Sequence, residues 1–181
     1  MVILGISGSL REKSSNSIML EIFKSISMPD VEITISHLIG RLPFFSPDLD
    51  DENSSGIVKE FRRELADCDG VIISTPEYAF GMPGVLKNAL DWTVSSGELL
   101  HKPLAAISAS PTSAGGDKAH ASLLLVLKAL SAKVVPSASF PFPAIYKRIS
   151  KTGELLDPLL VDDLRRVLVD LVAAIKSPPQ L

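Results

Sequence analysis

The sequence predicts an α/β domain: one open parallel sheet of five strands, in the order 2-1-3-4-5, with helices on both faces. Three observations predict it. Continuously apolar runs at Val2 to Ile6, Gly70 to Thr75 and Leu104 to Ala109 read as strands buried on both sides. Each runs into a loop of small or polar residues, and then into a stretch with helical apolar spacing. The strand–helix alternation recurs along all 181 residues, a length that suits one full-sized domain, so 1–181 is read as a single domain.

After the first strand, Ile18, Met19, Ile22, Phe23 and Ile26 mark a helix over about Ser15 to Ser27, stopped by Met28-Pro29-Asp30. Val31, Ile33 and Ile35 alternate with polar residues, so Val31 to His37 reads as a less buried strand. A loop from Gly40 to Ser55 carries Pro43, Pro47 and the acidic run Asp48, Asp50, Asp51 and Glu52. It lacks calcium-loop spacing and reads as a solvated lead into a helix capped by Asn53, Ser54 or Ser55. Ile57, Val58, Phe61, Leu65 and Ala66 stripe that helix, and Cys68 behind it reads as packing. The third strand feeds the loop Pro76 to Gly84, then a helix through Val85, Leu86, Ala89, Leu90 and Trp92. The fourth strand feeds Ser110 to Gly116, then a helix over about Asp117 to Ser131. A last strand starts at Lys133 and runs to about Ala138. A proline-rich loop, Phe140 to Ala144, and a turn at Lys151-Thr152-Gly153 precede an amphipathic helix from about Leu159 to Ile175. The tail Ser177 to Leu181 is expected to fray.

Composition narrows the function. Apolar residues make up 46% and charged residues 22%, the balance of a soluble globular protein. No apolar run is long enough to cross a bilayer, and Met1 leads straight into the first strand, so no membrane role and a cytoplasmic location are expected. The net charge of −3 and the absence of a basic cluster argue against nucleic acid. A single cysteine excludes an intramolecular disulfide. His37, His101 and His120 have no ligand spacing, so no metal site is expected. No G-x-S-x-G elbow is present, which disfavours a serine hydrolase.

The most informative stretch is Val2 to Asn16, VILGISGSLREKSSN. Strand, hydroxyl-rich loop and helix start make an anion site, because the unpaired N–H groups of the first helical turn point back at the loop. Ser9, Ser14 and Ser15 can donate to phosphate oxygens, and Arg11 adds a forked cation. Neither G-x-x-x-x-G-K-[ST] nor G-x-G-x-x-G is present, so a terminal phosphate monoester fits better than a pyrophosphate. The bland alternative is a helix capped by Ser14 or Ser15 with Arg11 in solvent. In the order 2-1-3-4-5 the strands that precede the three small-residue loops are adjacent. Their loops converge on one crevice outside the carboxyl ends of the strands, which favours the ligand-binding alternative.

Thr75 to Trp92, TPEYAFGMPGVLKNALDW, resembles the signature of the NAD(P)H-dependent FMN reductase family, whose relatives include chromate and quinone reductases and azoreductases. GSLREKSSN matches the same family's phosphate loop, and Gly115-Gly116 its usual third loop. The resemblance runs from the first strand to about Leu130 and implies a flavodoxin-like three-layer sandwich that binds FMN. It implies Ser9, Arg11, Ser14, Ser15 and Asn16 at the phosphate. It implies Pro76, Glu77, Tyr78, Ala79, Phe80 and Gly81 along the flavin ring, and Ser110, Gly115 and Gly116 in the third loop. Many members have asparagine after the tyrosine; this chain has Ala79 and then Phe80, a more apolar surface. Glu77 is expected to act through its backbone, Lys87 and Asp91 to form an i, i+4 pair, and Trp92 to pack or meet a partner subunit.

The implied activity is ping-pong hydride transfer from NADPH or NADH, through FMN, to a small acceptor: flavin, quinone, azo compound or oxyanion. The flavin supplies the chemistry, so no catalytic side chain is assigned. A flavodoxin-type electron carrier is the alternative. Such carriers are more acidic and lack an arginine in the phosphate loop. Apolar Ala79, Phe80, Met82 and Trp92 around the second loop suggest a homodimer or homotetramer.

Overall fold

The computed structural model describes residues 1–51, 54–150 and 152–177. Glu52 of the acidic run, the candidate cap Asn53, Lys151 of the predicted turn and tail residues 178–181 lie outside the described residues.

Strands β1 (Val2–Ser7), β2 (Glu32–Ser36), β3 (Gly70–Thr75) and β4 (Pro103–Ala109) form a parallel sheet with the short β5 (Lys133–Val134) in the order β2-β1-β3-β4-β5. Helices α1 (Ser15–Ser25) and α5 (Leu159–Lys176) cover one face; α2 (Gly56–Asp67), α3 (Gly84–Asp91) and α4 (Asp117–Ala129) cover the other. The strand period of two decides what each core receives. Ile3, Ile72, Ala105 and Ile107 pack against Met19, Phe23, Leu164 and Leu171, while Leu4, Ile6, Val71, Ile73 and Leu104 pack against Phe61, Leu65, Leu86 and Leu127. Residues are buried on both faces of β1, β3 and β4, which is why their sequences are apolar throughout.

The fifth strand departs from the expected run to Ala138. Pro136 cannot donate to a ladder and opens a 3₁₀ turn over Pro136–Ala138. The chain then returns to β4 as β6 (Pro141–Phe142), paired with Ser108 and Ala109. Between the two pieces, side chains serve the edge of β4: the Ala106 N–H donates to Ser139 Oγ (2.9 Å), and His120 Nε2 lies 3.1 Å from the Ala106 carbonyl. Burial pushes the His120 imidazole below its ordinary pKa, favouring the neutral ring with Nε2–H as donor.

The acidic loop is ordered by specific partners. Arg62 of α2 donates to Asp50 (2.6 Å) and to the Trp92 carbonyl, and Ser95 Oγ donates to the other oxygen of Asp50 (2.6 Å). These hydrogen bonds, Ser95 first and Arg62 next, hold the Asp50 carboxyl below its ordinary range. Ser55 is the N-cap residue of α2 without a side-chain cap bond, while buried Ser54 donates to the carbonyls of Leu49 and Asp51. Cys68 is buried at the end of α2, and burial pushes its thiol up. Lys102 Nζ donates to the carbonyls of Leu65 and Cys68, placing a cation at that helix's negative end.

The stretch KNALDW proves structural. Lys87 and Asp91 form the expected pair at 2.6 Å. Asn88 accepts from the Phe45 N–H and donates to the Pro43 carbonyl. Trp92, only 1% exposed, donates Nε1 to the same carbonyl and meets the Phe45 ring edge-on. Of the two roles expected for Trp92 the structure gives packing, and the residue drops out of any interface argument.

Candidate functional site

The carboxyl ends of β1, β3 and β4 open into a cleft of about 270 Å³, and the loops that follow those three strands supply three of its walls. Ser9, Arg11, Lys13, Ser14, Ser15 and Asn16 line the first wall, Pro76, Glu77 and Tyr78 the second, Ala109, Ser110 and Pro111 the third.

The first loop is folded by its own hydroxyls. Ser9 Oγ accepts from the Arg11 N–H (3.2 Å), and Ser14 caps α1 by accepting from the Asn16 N–H (3.2 Å). Ser7 Oγ pairs with Ser17 Oγ at 2.8 Å. Gly8 donates to the Ser74 carbonyl, and a Cβ there would lie 2.8 Å from Thr75 Oγ1, so only glycine lets this loop lie against the end of β3. Asn16 is 3% exposed, with its amide engaged: it donates to the Ala109 carbonyl (3.2 Å) and accepts from Ser74 Oγ (2.9 Å). It therefore clamps the start of α1 to the ends of β3 and β4. Arg11 and Lys13 are exposed, and the mouth carries two cations on a chain of net charge −3.

The second loop is a tight hairpin. Tyr78 and Gly81 exchange backbone hydrogen bonds, both at 3.0 Å, across Ala79 (φ +50°) and Phe80 (φ +62°). Positive φ at both central positions is the geometry of a type I′ turn, which asparagine and glycine adopt with little strain and alanine and phenylalanine do not. The turn leaves Phe80 81% exposed, and Ala79, Phe80 and Gly81 sit outside the lining of the cleft. The Glu77 side chain has a structural task of its own. Its Oε2 accepts from the Lys118 and Ala119 N–H groups (2.9 and 3.0 Å), capping α4 from across the sheet.

Gly115 and Gly116 do not line the cleft either. Gly115 (φ +66°) is required because a Cβ would lie 2.7 Å from Pro143 N. Gly116 (φ +82°) is the left-handed N-cap residue of α4. Both shape the third loop, in which Ser110, 5% exposed, reaches the cleft.

A fourth wall was missed: Ile145, Tyr146, Ile149 and Ser150. Ala144 (φ +47°) turns the chain into a 3₁₀ segment, Ile145–Lys147, tied to the third loop by Ala144 N–H to Thr112 O (2.9 Å) and Ile145 N–H to Ser110 O (3.1 Å). The one local sign of it is a tyrosine followed by two basic residues after a proline-rich loop, and it follows the last stretch that carries a recognisable motif.

Together these walls define a flavodoxin-like protein whose crevice suits a phosphorylated planar ligand. Comparison with known proteins gives the family. Residues 1–147 match the family described as NADPH-dependent FMN reductase, and the chain belongs to it. It is 30% identical over 161 residues to the quinone reductase of Escherichia coli strain K12, covering 87% of this chain and 86% of that one. It is 31% identical over 157 residues to an NAD(P)H-dependent FMN reductase of Pseudomonas aeruginosa, covering 86% and 84%. Among solved structures, a flavoenzyme NAD(P)H:(acceptor) oxidoreductase from Paracoccus denitrificans superposes with a TM-score of 0.83 at 25% identity over 97% of both chains. The chain is thus an oxidoreductase of an FMN-dependent, NAD(P)H-using kind. The donor set fits FMN: a capped helix start, serine hydroxyls that accept within the loop and keep their protons to donate, an arginine for one monophosphate, and a loop with a backbone hairpin beside it.

Proposed function

We propose that the protein is an NAD(P)H-dependent FMN reductase-like enzyme that passes reducing equivalents from NADPH or NADH to a small acceptor: free flavin, a quinone, an azo compound or an oxyanion. Bound FMN would supply the hydride chemistry. Ser9, Arg11, Ser14 and Ser15 would hold its phosphate, with Asn16 keeping their loop in place. Backbone groups of Pro76 to Gly81 would border its ring, and Tyr78 and Phe80 would limit what stacks beside it. Glu77, the only carboxylate lining the cleft among the described residues, is engaged at the start of α4, so no acid–base residue is assigned. The observation that carries the reading is one cleft joining an anion loop to an aromatic-edged hairpin. Similarity to a quinone reductase favours quinones among the acceptors. The presence of Arg11 and the modest net charge favour an enzyme over a flavodoxin-type carrier.

One crevice then serves donor and acceptor in turn, which gives ping-pong kinetics. NADPH or NADH alone, without oxygen, is expected to bleach the bound flavin, acceptor alone to restore the colour, and double-reciprocal plots to be parallel. No bleaching by either nicotinamide would return the carrier reading, and intersecting lines would require a second site. We further propose a homodimer or homotetramer with the hairpin near a subunit boundary, on the strength of exposed Tyr78, Phe80 and Phe44. A monomer mass by light scattering at micromolar protein would end that proposal.

A further inference from the structure

We propose that Tyr146 is a further ligand-binding residue of this cleft, donating its phenolic O–H to the phosphate of bound FMN; the proposal rests on the FMN reading above. Three observations carry it. The first is the rigidity of its mount. Ile145 and Ile149 are 2% exposed and join the core beneath α1 and α5, and the segment's start is bonded to the third loop. Its far end is fixed by Arg148, paired with Asp157 (2.7 Å) and Asp163 (2.8 Å) and lying over the Phe142 ring. A turn held this firmly, entered through a left-handed alanine, nevertheless presents a tyrosine that is 56% exposed. The left-handed backbone at Ala144 is of the kind that clusters at ligand clamps and active sites.

The second observation is position. The segment lines the same cleft as the first loop, and its Ile145 and Ile149 share a core with Met19 and Leu20 of α1. Ser14 and Ser15, which the FMN reading gives to the phosphate, line that cleft with it. The third is chemistry. Among the described residues the Tyr146 hydroxyl has no hydrogen-bond partner, and the Lys147 ammonium lies 5.9 Å from its ring centroid. A free O–H donor with a cation at its ring, lining a cleft that already holds Arg11 and Lys13, suits an anion.

The test compares FMN with riboflavin, which differ only in the phosphate, by fluorescence titration of the flavin-free full chain. Tyr146→Phe keeps the ring and removes the donor, and unchanged thermal melting would verify the fold. The expected result is an FMN affinity about ten-fold weaker or more, with riboflavin affinity unchanged. Equal FMN affinity in wild type and Tyr146→Phe would overturn the proposal, as would equal losses for the two flavins. Arg11→Ala, measured alongside, separates the failures. If it discriminates FMN from riboflavin and Tyr146→Phe does not, the site stands and the Tyr146 role falls. If the wild type itself binds both flavins equally, the phosphate reading of the cleft falls, and the Tyr146 role with it.

Discussion

At the scale of the residue, the site divides side chains that are free for a ligand from side chains that hold those free ones still. Asn16, in the first turn of α1, serves β3 and β4, while Arg11 and Lys13 of the first loop remain exposed. Arg11→Ala should therefore weaken FMN binding by about 1–3 kcal/mol, the scale of a charge-assisted contact, with little change in melting temperature. Titration of the flavin-free protein reads the first effect and calorimetry the second. The hairpin offers the opposite case. Ala79 occupies a left-handed position that asparagine tolerates better, so Ala79→Asn should stabilise the fold by up to about 1 kcal/mol in urea unfolding. The sequence exposed the Ala79–Phe80 departure but not its conformation, because the need for positive φ comes from the Tyr78–Gly81 pairing.

Among the elements, the most consequential contact joins two that are far apart in the chain. Glu77 leaves β3 and caps α4 across 41 and 42 residues, in place of a side-chain cap from Gly116. Glu77→Ala removes both acceptor contacts and a negative charge from a helix start. A loss of about 0.5–2 kcal/mol is expected, with faster amide exchange at Lys118 and Ala119 than elsewhere in α4. Exchange that rises evenly over the molecule instead would show that the carboxylate is not a local cap. Contacts of this range explain what the sequence left unread. Apolar runs ending in hydroxyls and glycines made β1, β3, β4 and their loops legible, since those signals are local. The cap from Glu77, the clamp by Asn16 and the wall at Tyr146 depend on which loops meet in space. The β-branched start of the fifth strand predicts a run to about Ala138, and Pro136 cuts it short.

For the molecule as a whole, acid should act in two stages. His120 bridges α4 to β4, with its pKa lowered by burial. Its neutral form therefore contributes stability that is complete above the ordinary value of 6.5 and is lost as the pH falls below it. Asp50 joins the loop before α2 to Arg62 and to Ser95 beyond α3. Its lowered pKa gives stability that is complete above the ordinary 3.8 and is lost as the pH falls further. Melting temperature against pH should decline first below 6.5 and again below about 3.8. Asp50→Asn should remove most of the second, and a curve unchanged by that variant would place the acid sensitivity elsewhere. The broken fifth strand bears on solubility too. An open strand edge recruits foreign strands, and the middle of β4 would offer one N–H and one carbonyl to any chain that came alongside. Here Ser139 occupies the donor and His120 the acceptor, so the gap between β5 and β6 is stoppered by two side chains. The edge of β4 can thus stay irregular between its two short partners without becoming a seed for aggregation.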